Sequence, residues 1–178
     1  MQLLSIIRET YKNFFEIVAR YWRFYGGVQS FISSTYLHLS IILGVIFHPP
    51  WNKDAIWYNV SLAILPNMIG FTLGGYAILF AFGDKEFFKL FKADKDDNNG
   101  PSPYLQLHGT FIHFIVIQII SLLFALLSMT ISIQDGLISW IGFILLIYSI
   151  LLALAAVFAI LRLASLFDIW NQNNDDKE

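Results

Sequence analysis

Few side chains in this sequence have types that could do chemistry. They are four histidines, one arginine near the end of an apolar run, and an asparagine and a glutamine at span depth. His38 falls near the centre of the apolar run 28–47. Asn67 lies at similar depth in the run 56–82, and Gln118 lies somewhat nearer the inner side in the run 110–131. Polar groups in hydrocarbon need partners. The spacing therefore predicts one interhelical network of His38, Asn67 and Gln118. It would be structural in role or, as the sharper alternative, part of a proton or ion pathway. A neutral imidazole serves either purpose.

His108 and His113 are five residues apart, and Arg162 should reach the same membrane level. Arg162 can snorkel to lipid phosphate or, with either histidine, build an anion or lipid-headgroup site. Lys85, Lys89 and Lys92 recur on one side of a possible helical extension, with Phe87, Phe88 and Phe91 beside them, and are candidates for the same inner-leaflet contact. His48 precedes Pro49-Pro50 and reads as a loop residue.

Other chemistries find no support. The histidines show no i,i+3 or i,i+4 pairing and no carboxylate lies at span depth, so no metal ion is expected. There is no Gly-x-Ser-x-Gly, no His-Glu-x-x-His and no phosphate-cradling loop. The absence of cysteine excludes disulfides and thiol catalysis. No cofactor and no enzymatic activity are expected, and a net charge of −2 gives no basis for nucleic-acid binding. Asn59-Val-Ser61 matches a glycosylation sequon but abuts a span too closely to be reached.

The elements that must position these residues are helices in a bilayer. The chain is 57% apolar and 13% charged, and its apolar residues are blocked into long runs; a soluble domain is about one quarter charged. Four runs meet the requirement of about 20 residues for a span, at about 28–47, 56–82, 110–131 and 137–166. The fold class predicted is an all-α integral membrane protein, with a four-helix transmembrane domain over 28–166. A long charged loop over 83–109 separates the second and third spans, and 167–178 reads as a frayed acidic tail.

Residues 1–25 precede the spans as an amphipathic helix. Leu3, Ile7, Tyr11, Phe14, Val18 and Trp22 share one face, and Glu9, Lys12, Glu16, Arg20 and Arg23 share the opposite one. Such a helix suits a membrane interface, although packing on its own domain or on a partner is the alternative. It lacks the pattern of a signal peptide and reads as mature protein. Gly26-Gly27 should end it.

The second span carries a stripe of low side-chain bulk: Ala63, Pro66, Gly70, Gly74, Ala77 and Ala81. In lipid, close backbone approach supplies much of the attraction between helices, so the stripe predicts a packing surface for another span or for a neighbouring copy. Pro66 should kink this span. Thr72-Leu-Gly-Gly-Tyr76 is similar in composition to a potassium-channel filter. It lies inside a continuous apolar run rather than in extended backbone near an outer mouth, so that reading is rejected.

Ten of the eleven Lys and Arg residues fall in the N-terminal segment, the middle loop and the C-terminal end, leaving only Lys53 on the other side. The positive-inside rule places both termini and the loop in the cytoplasm. Trp51, Trp57 and Trp140 would then mark the outer interface, and Trp22 and Trp170 the inner one.

The expectation is a multi-pass protein of a plasma membrane, in a bacterium the inner membrane. It would work as a homo-oligomeric anchor, sensor or scaffold for a cytosolic partner reached through residues 1–25 and loop 83–109. The alternative is a small oligomeric ion channel or membrane-depolarising pore. The layout alone resembles small polytopic proteins that accompany soluble effectors in bacterial defence operons, which implies a defence or stress role.

Overall fold

A computed structural model describes residues 2–47, 57–81, 101–131 and 136–175, and all six elements among them are α-helices. They are α1 (Gln2–Tyr25), α2 (Gly27–Ile32), α3 (Thr35–Phe47), α4 (Trp57–Ala81), α5 (Pro103–Ile131) and α6 (Gly136–Asp175). Three of them contain stretches long and apolar enough to cross a membrane: Trp57–Ile78, Tyr104–Ile131 and Gly136–Ser165. The apolar helix α3 is shorter, at 13 residues, or about 20 Å against a hydrocarbon core of about 30 Å.

The apolar run 28–47, expected as one span, is divided. Ser33, Ser34 and Thr35 follow one another, and hydroxyl side chains compete with the helical ladder for backbone groups. The Ser33 hydroxyl turns back to the Ser30 carbonyl at 3.4 Å. The Ser34 amide closes a tight turn on the Phe31 carbonyl, and the α3 ladder restarts from the Ser34 carbonyl.

Two further boundaries differ from expectation. Residues 103–109, assigned to the loop, form the first turns of α5. The Ser102 hydroxyl accepts the Leu105 amide at 3.4 Å, and Pro103, with no N–H to leave unpaired, opens the helix. Of the stretch read as a frayed tail, 167–175 continues α6, which runs 40 residues, about 60 Å.

Contacts between named residues fix an antiparallel arrangement of α3 to α6. The α4 and α6 helices run the same way: the Trp57 indole nitrogen donates to the Ser139 hydroxyl at 2.9 Å at one end, and Gly75 meets Ile160 at the other. The α5 helix runs against them, with Tyr76 bonded to His108 and Trp57 packed near Phe124. The α3 helix also opposes α6, because Gly44 abuts Ile144 while Tyr36 packs at the Leu152–Ala156 level.

Two apolar clusters form the interior, one around Phe111, Phe114, Tyr148 and Leu152, the other around Trp57, Leu65, Ala125 and Leu146. Trp57, expected as an outer interface marker, is 3% exposed and belongs to the second cluster. Its ring lies over Gly142, where a Cβ would collide with the indole.

The inward face of α4 is the row Trp57, Ser61, Leu65 and Thr72, all buried. The stripe residues Ala63, Pro66, Gly70, Gly74 and Ala77 lie about half a turn away and are exposed. A Cβ built on Gly70 or Gly74 would meet nothing within 4 Å, so the stripe packs no helix of its own chain among the described residues. Ala81 closes α4.

Candidate functional site

The element that stands apart is α1. No residue of α1 is buried, and Leu3, Ile7, Tyr11, Phe14 and Val18 leave its apolar face uncovered. Among the described residues, only its last turn joins the rest of the molecule. Gly26 and Gly27 then adopt φ of 102° and 69°, a left-handed pair that side-chain-bearing residues rarely hold, and reverse the chain into α2.

The joint is built on His113 of α5, which is wholly buried. The Tyr21 hydroxyl lies 2.8 Å from its Nδ1, and the Tyr148 hydroxyl of α6 lies 3.2 Å from its Nε2. The Tyr25 ring is stacked on the imidazole with centroids 3.7 Å apart. Phe31 of α2 meets it edge-on at 6.0 Å, and Trp22 lies at 6.5 Å. One turn earlier on α5, Gly109 admits the backbone of α1: a Cβ there would sit 2.6 Å from the Tyr25 amide nitrogen. Thus α1 is held by a backbone-to-backbone approach, a stacked pair and one hydroxyl–imidazole bond, while a second such bond ties the same ring to α6.

The electrostatics suit a neutral ring. With a hydroxyl at each nitrogen, one nitrogen donates its proton to a tyrosine oxygen and the other accepts a tyrosine proton. Burial pushes the Tyr21 phenol up to about 12 and raises the Tyr25 phenol further, with Tyr148 adding to both. Both phenols are therefore protonated at neutral pH. Ser34, at the break between α2 and α3, and Tyr25 also face the Tyr148 hydroxyl. One polar chain thus links α1, α5, α6 and the broken end of α3. It can hold or relay a proton, and it can transmit a displacement of α1 to the break.

A second histidine–tyrosine pair lies at the same end of the bundle. The Tyr76 hydroxyl of α4 is 2.7 Å from His108 Nδ1, and the Tyr104 ring meets the imidazole edge-on at 4.4 Å.

The expected constellations are not assembled as grouped from the sequence. His38 and Asn67 have exposed side chains, whereas Gln118 is fully buried and donates to Thr72 Oγ1 at 3.2 Å. The three form no common network; rotation of α3 and α4 about their own axes turns the first two outward. Arg162 is not joined to His108 or His113 either. Each histidine is engaged by tyrosines, and Arg162 lines a separate groove with Gln106 and Thr110. Lys85, Lys89 and Lys92 lie outside the described residues.

Sequence reasoning missed Tyr21, Tyr25 and Tyr148. A signal was present: Tyr21 and Tyr25 are an i,i+4 pair closing an amphipathic helix, and Tyr148 is a hydroxyl inside an apolar run, which needs a partner there. Compared with protein-family models, with curated proteins and with solved structures, the chain matches none.

Proposed function

We propose that this protein is a non-catalytic membrane anchor and sensor that presents α1 to a cytosolic protein at the inner surface of a plasma membrane. In this reading α2 and α3 together supply a fourth crossing beside α4, α5 and α6, and both termini face the cytoplasm. The observation that carries it is the state of α1, a 24-residue amphipathic helix with nothing buried and, among the described residues, attached only through its last turn. The apolar face suits the lipid interface, which leaves Arg8, Lys12, Glu16 and Arg20 for a partner. The His113 joint then couples the posture of α1 to the bundle. Homo-oligomerisation through the open face of α4 belongs to the same reading, because Gly70 and Gly74 present bare backbone with free space before them. A role in a bacterial defence or stress system is the biological setting proposed.

The experiment is the intact mass of the tagged protein, purified gently from its own host in mild detergent. A stoichiometric soluble protein is expected, and it should be lost when Arg8, Lys12 and Arg20 are changed to Glu. A ring of identical chains with no soluble component, passing ions in liposomes, would replace this reading with that of a channel. Single cysteines at Asn52 and Asp135 should label from outside and one at Asp96 should not; the reverse pattern would overturn the orientation.

A further inference from the structure

Between α3, α5 and α6 runs a groove of 460 Å³, with Arg162 at its polar end. Gln106 and Tyr36 stand in the walls with it, and Phe114, Ala155 and Phe158 line the remainder. Ala155 and Ala159 are one turn apart on α6 and leave the trough open between larger neighbours. From Ala155 to Arg162 is about 10 Å along the helix axis. The groove therefore changes from apolar to cationic over the distance that separates the start of an acyl chain from a lipid phosphate.

Arg162 is exposed, and among the described residues the only ion pair is Lys12–Glu16. Its charge is permanent and its planar fork matches a phosphate. Tyr36 adds a phenol with no hydrogen-bond partner among the described residues. An arginine that merely snorkelled to the lipid surface would need no walled trough beneath it. A free phosphate would leave the Phe114 and Phe158 half unfilled. A molecule with an anionic head and a hydrocarbon chain satisfies both ends.

We propose that this groove binds one acidic phospholipid per chain, its phosphate on Arg162 and the start of an acyl chain along Ala155, Ala159 and Phe114. The inference rests on the helices lying in a bilayer, and it is independent of the partner and of the oligomer.

The test is native mass spectrometry of the detergent-purified full chain, titrated with phosphatidylglycerol, with phosphatidylcholine of the same acyl chains, and with inorganic phosphate alone. One phosphatidylglycerol per chain should be retained, with a preference over phosphatidylcholine of about fivefold, the effect of one cation near the surface. Arg162→Gln should abolish the preference and Arg162→Lys should keep part of it. Ala159→Phe, which fills the trough with Arg162 intact, should abolish retention of both lipids. Equal retention of the two lipids by the wild type, or a lipid still held by Ala159→Phe with its helicity unchanged, would overturn the proposal. Displacement of the lipid by millimolar inorganic phosphate would reduce the site to one for simple anions.

Discussion

The Tyr25 ring lies flat on the His113 imidazole, with planes 12° apart and centroids separated by 3.7 Å. This stack joins the last turn of a surface helix to the third turn of a helix long enough to cross a membrane. It makes α1 part of the bundle at one end and independent of it at the other.

Removing the stack should free α1. Tyr25→Ala is expected to lower stability in mild detergent by about 2 kcal/mol, less than a fully buried aromatic because the ring is only half-buried. Tyr25→Phe keeps the stacking area and loses one hydroxyl, so it should cost about 1 kcal/mol or less. Thermal melts of the two variants, with proteolysis at Arg20 and Arg23 as a readout of α1 release, check the order. Equal behaviour of the two would remove the stacking argument.

The same joint gives a signed dependence on pH. Tyr21 is raised from 10.0 to about 12, and Tyr25 is raised as well. A group whose folded pKa is raised binds its proton more tightly in the folded state. Its stabilisation is fully present below the unfolded value and is lost as pH climbs through the folded one. These phenols should therefore contribute no slope between pH 7 and 9 and a falling melting temperature above about pH 10. In the Tyr21→Phe, Tyr25→Phe double variant, the alkaline fall should be shallower. An unchanged alkaline limb would exclude these two phenols as its source.

Two pairs of glycines should behave oppositely. A Cβ at Gly109 meets the backbone of Phe24 and Tyr25, and one at Gly142 meets the Trp57 ring. Gly109→Ala and Gly142→Ala should each cost about 1–3 kcal/mol by overpacking. Gly70→Ala and Gly74→Ala face open space and should leave the single chain as stable as the wild type. Gly74→Leu should instead lower the mass of the assembled species in mild detergent. Should Gly74→Leu leave that mass unaltered, the open face of α4 is not an interface between copies.

Gln118 separates a structural from a conducting interior. Its Oε1 has no partner among the described residues, and its bond partner Thr72 already donates to the Met68 carbonyl at 2.9 Å. Gln118→Leu then removes an unsatisfied buried acceptor and strands nothing, so melting temperature should hold or rise. Loss of ion flux in liposomes by a stable Gln118→Leu protein would instead mark this side chain as part of a pathway.

The long apolar helices were legible in the sequence because length alone identifies a stretch able to cross hydrocarbon. Which way each faces was not. The α3, α4, α5 and α6 helices are apolar nearly all round, so their periodicity carries little asymmetry to set rotation. For that reason His38 and Asn67 were grouped with Gln118, although they face outward. His113 was singled out by type, but its partners Tyr21 and Tyr148 lie 92 and 35 residues away, beyond the reach of local spacing. The α1 helix is the converse case: its two faces are plain in the sequence, and nothing among the described residues covers the apolar one. The break at Ser33–Ser34 has a visible cause in three successive hydroxyl residues, but the apolar run on both sides carries the stronger signal, that of one continuous span.

A rod fixed at one end works as a lever. Leu3 lies about 27 Å along α1 from Tyr21, so a tilt of about 10° at the joint sweeps the free tip through about 5 Å. The hydroxyl of Tyr21, next to the fulcrum, moves a small fraction of that. In the anchor-and-sensor reading, a weak pull at the tip, from a thinning bilayer or a binding protein, would reach His113 as a large torque. The mechanical advantage of α1 would then let forces too small to bend a packed bundle strain a single imidazole.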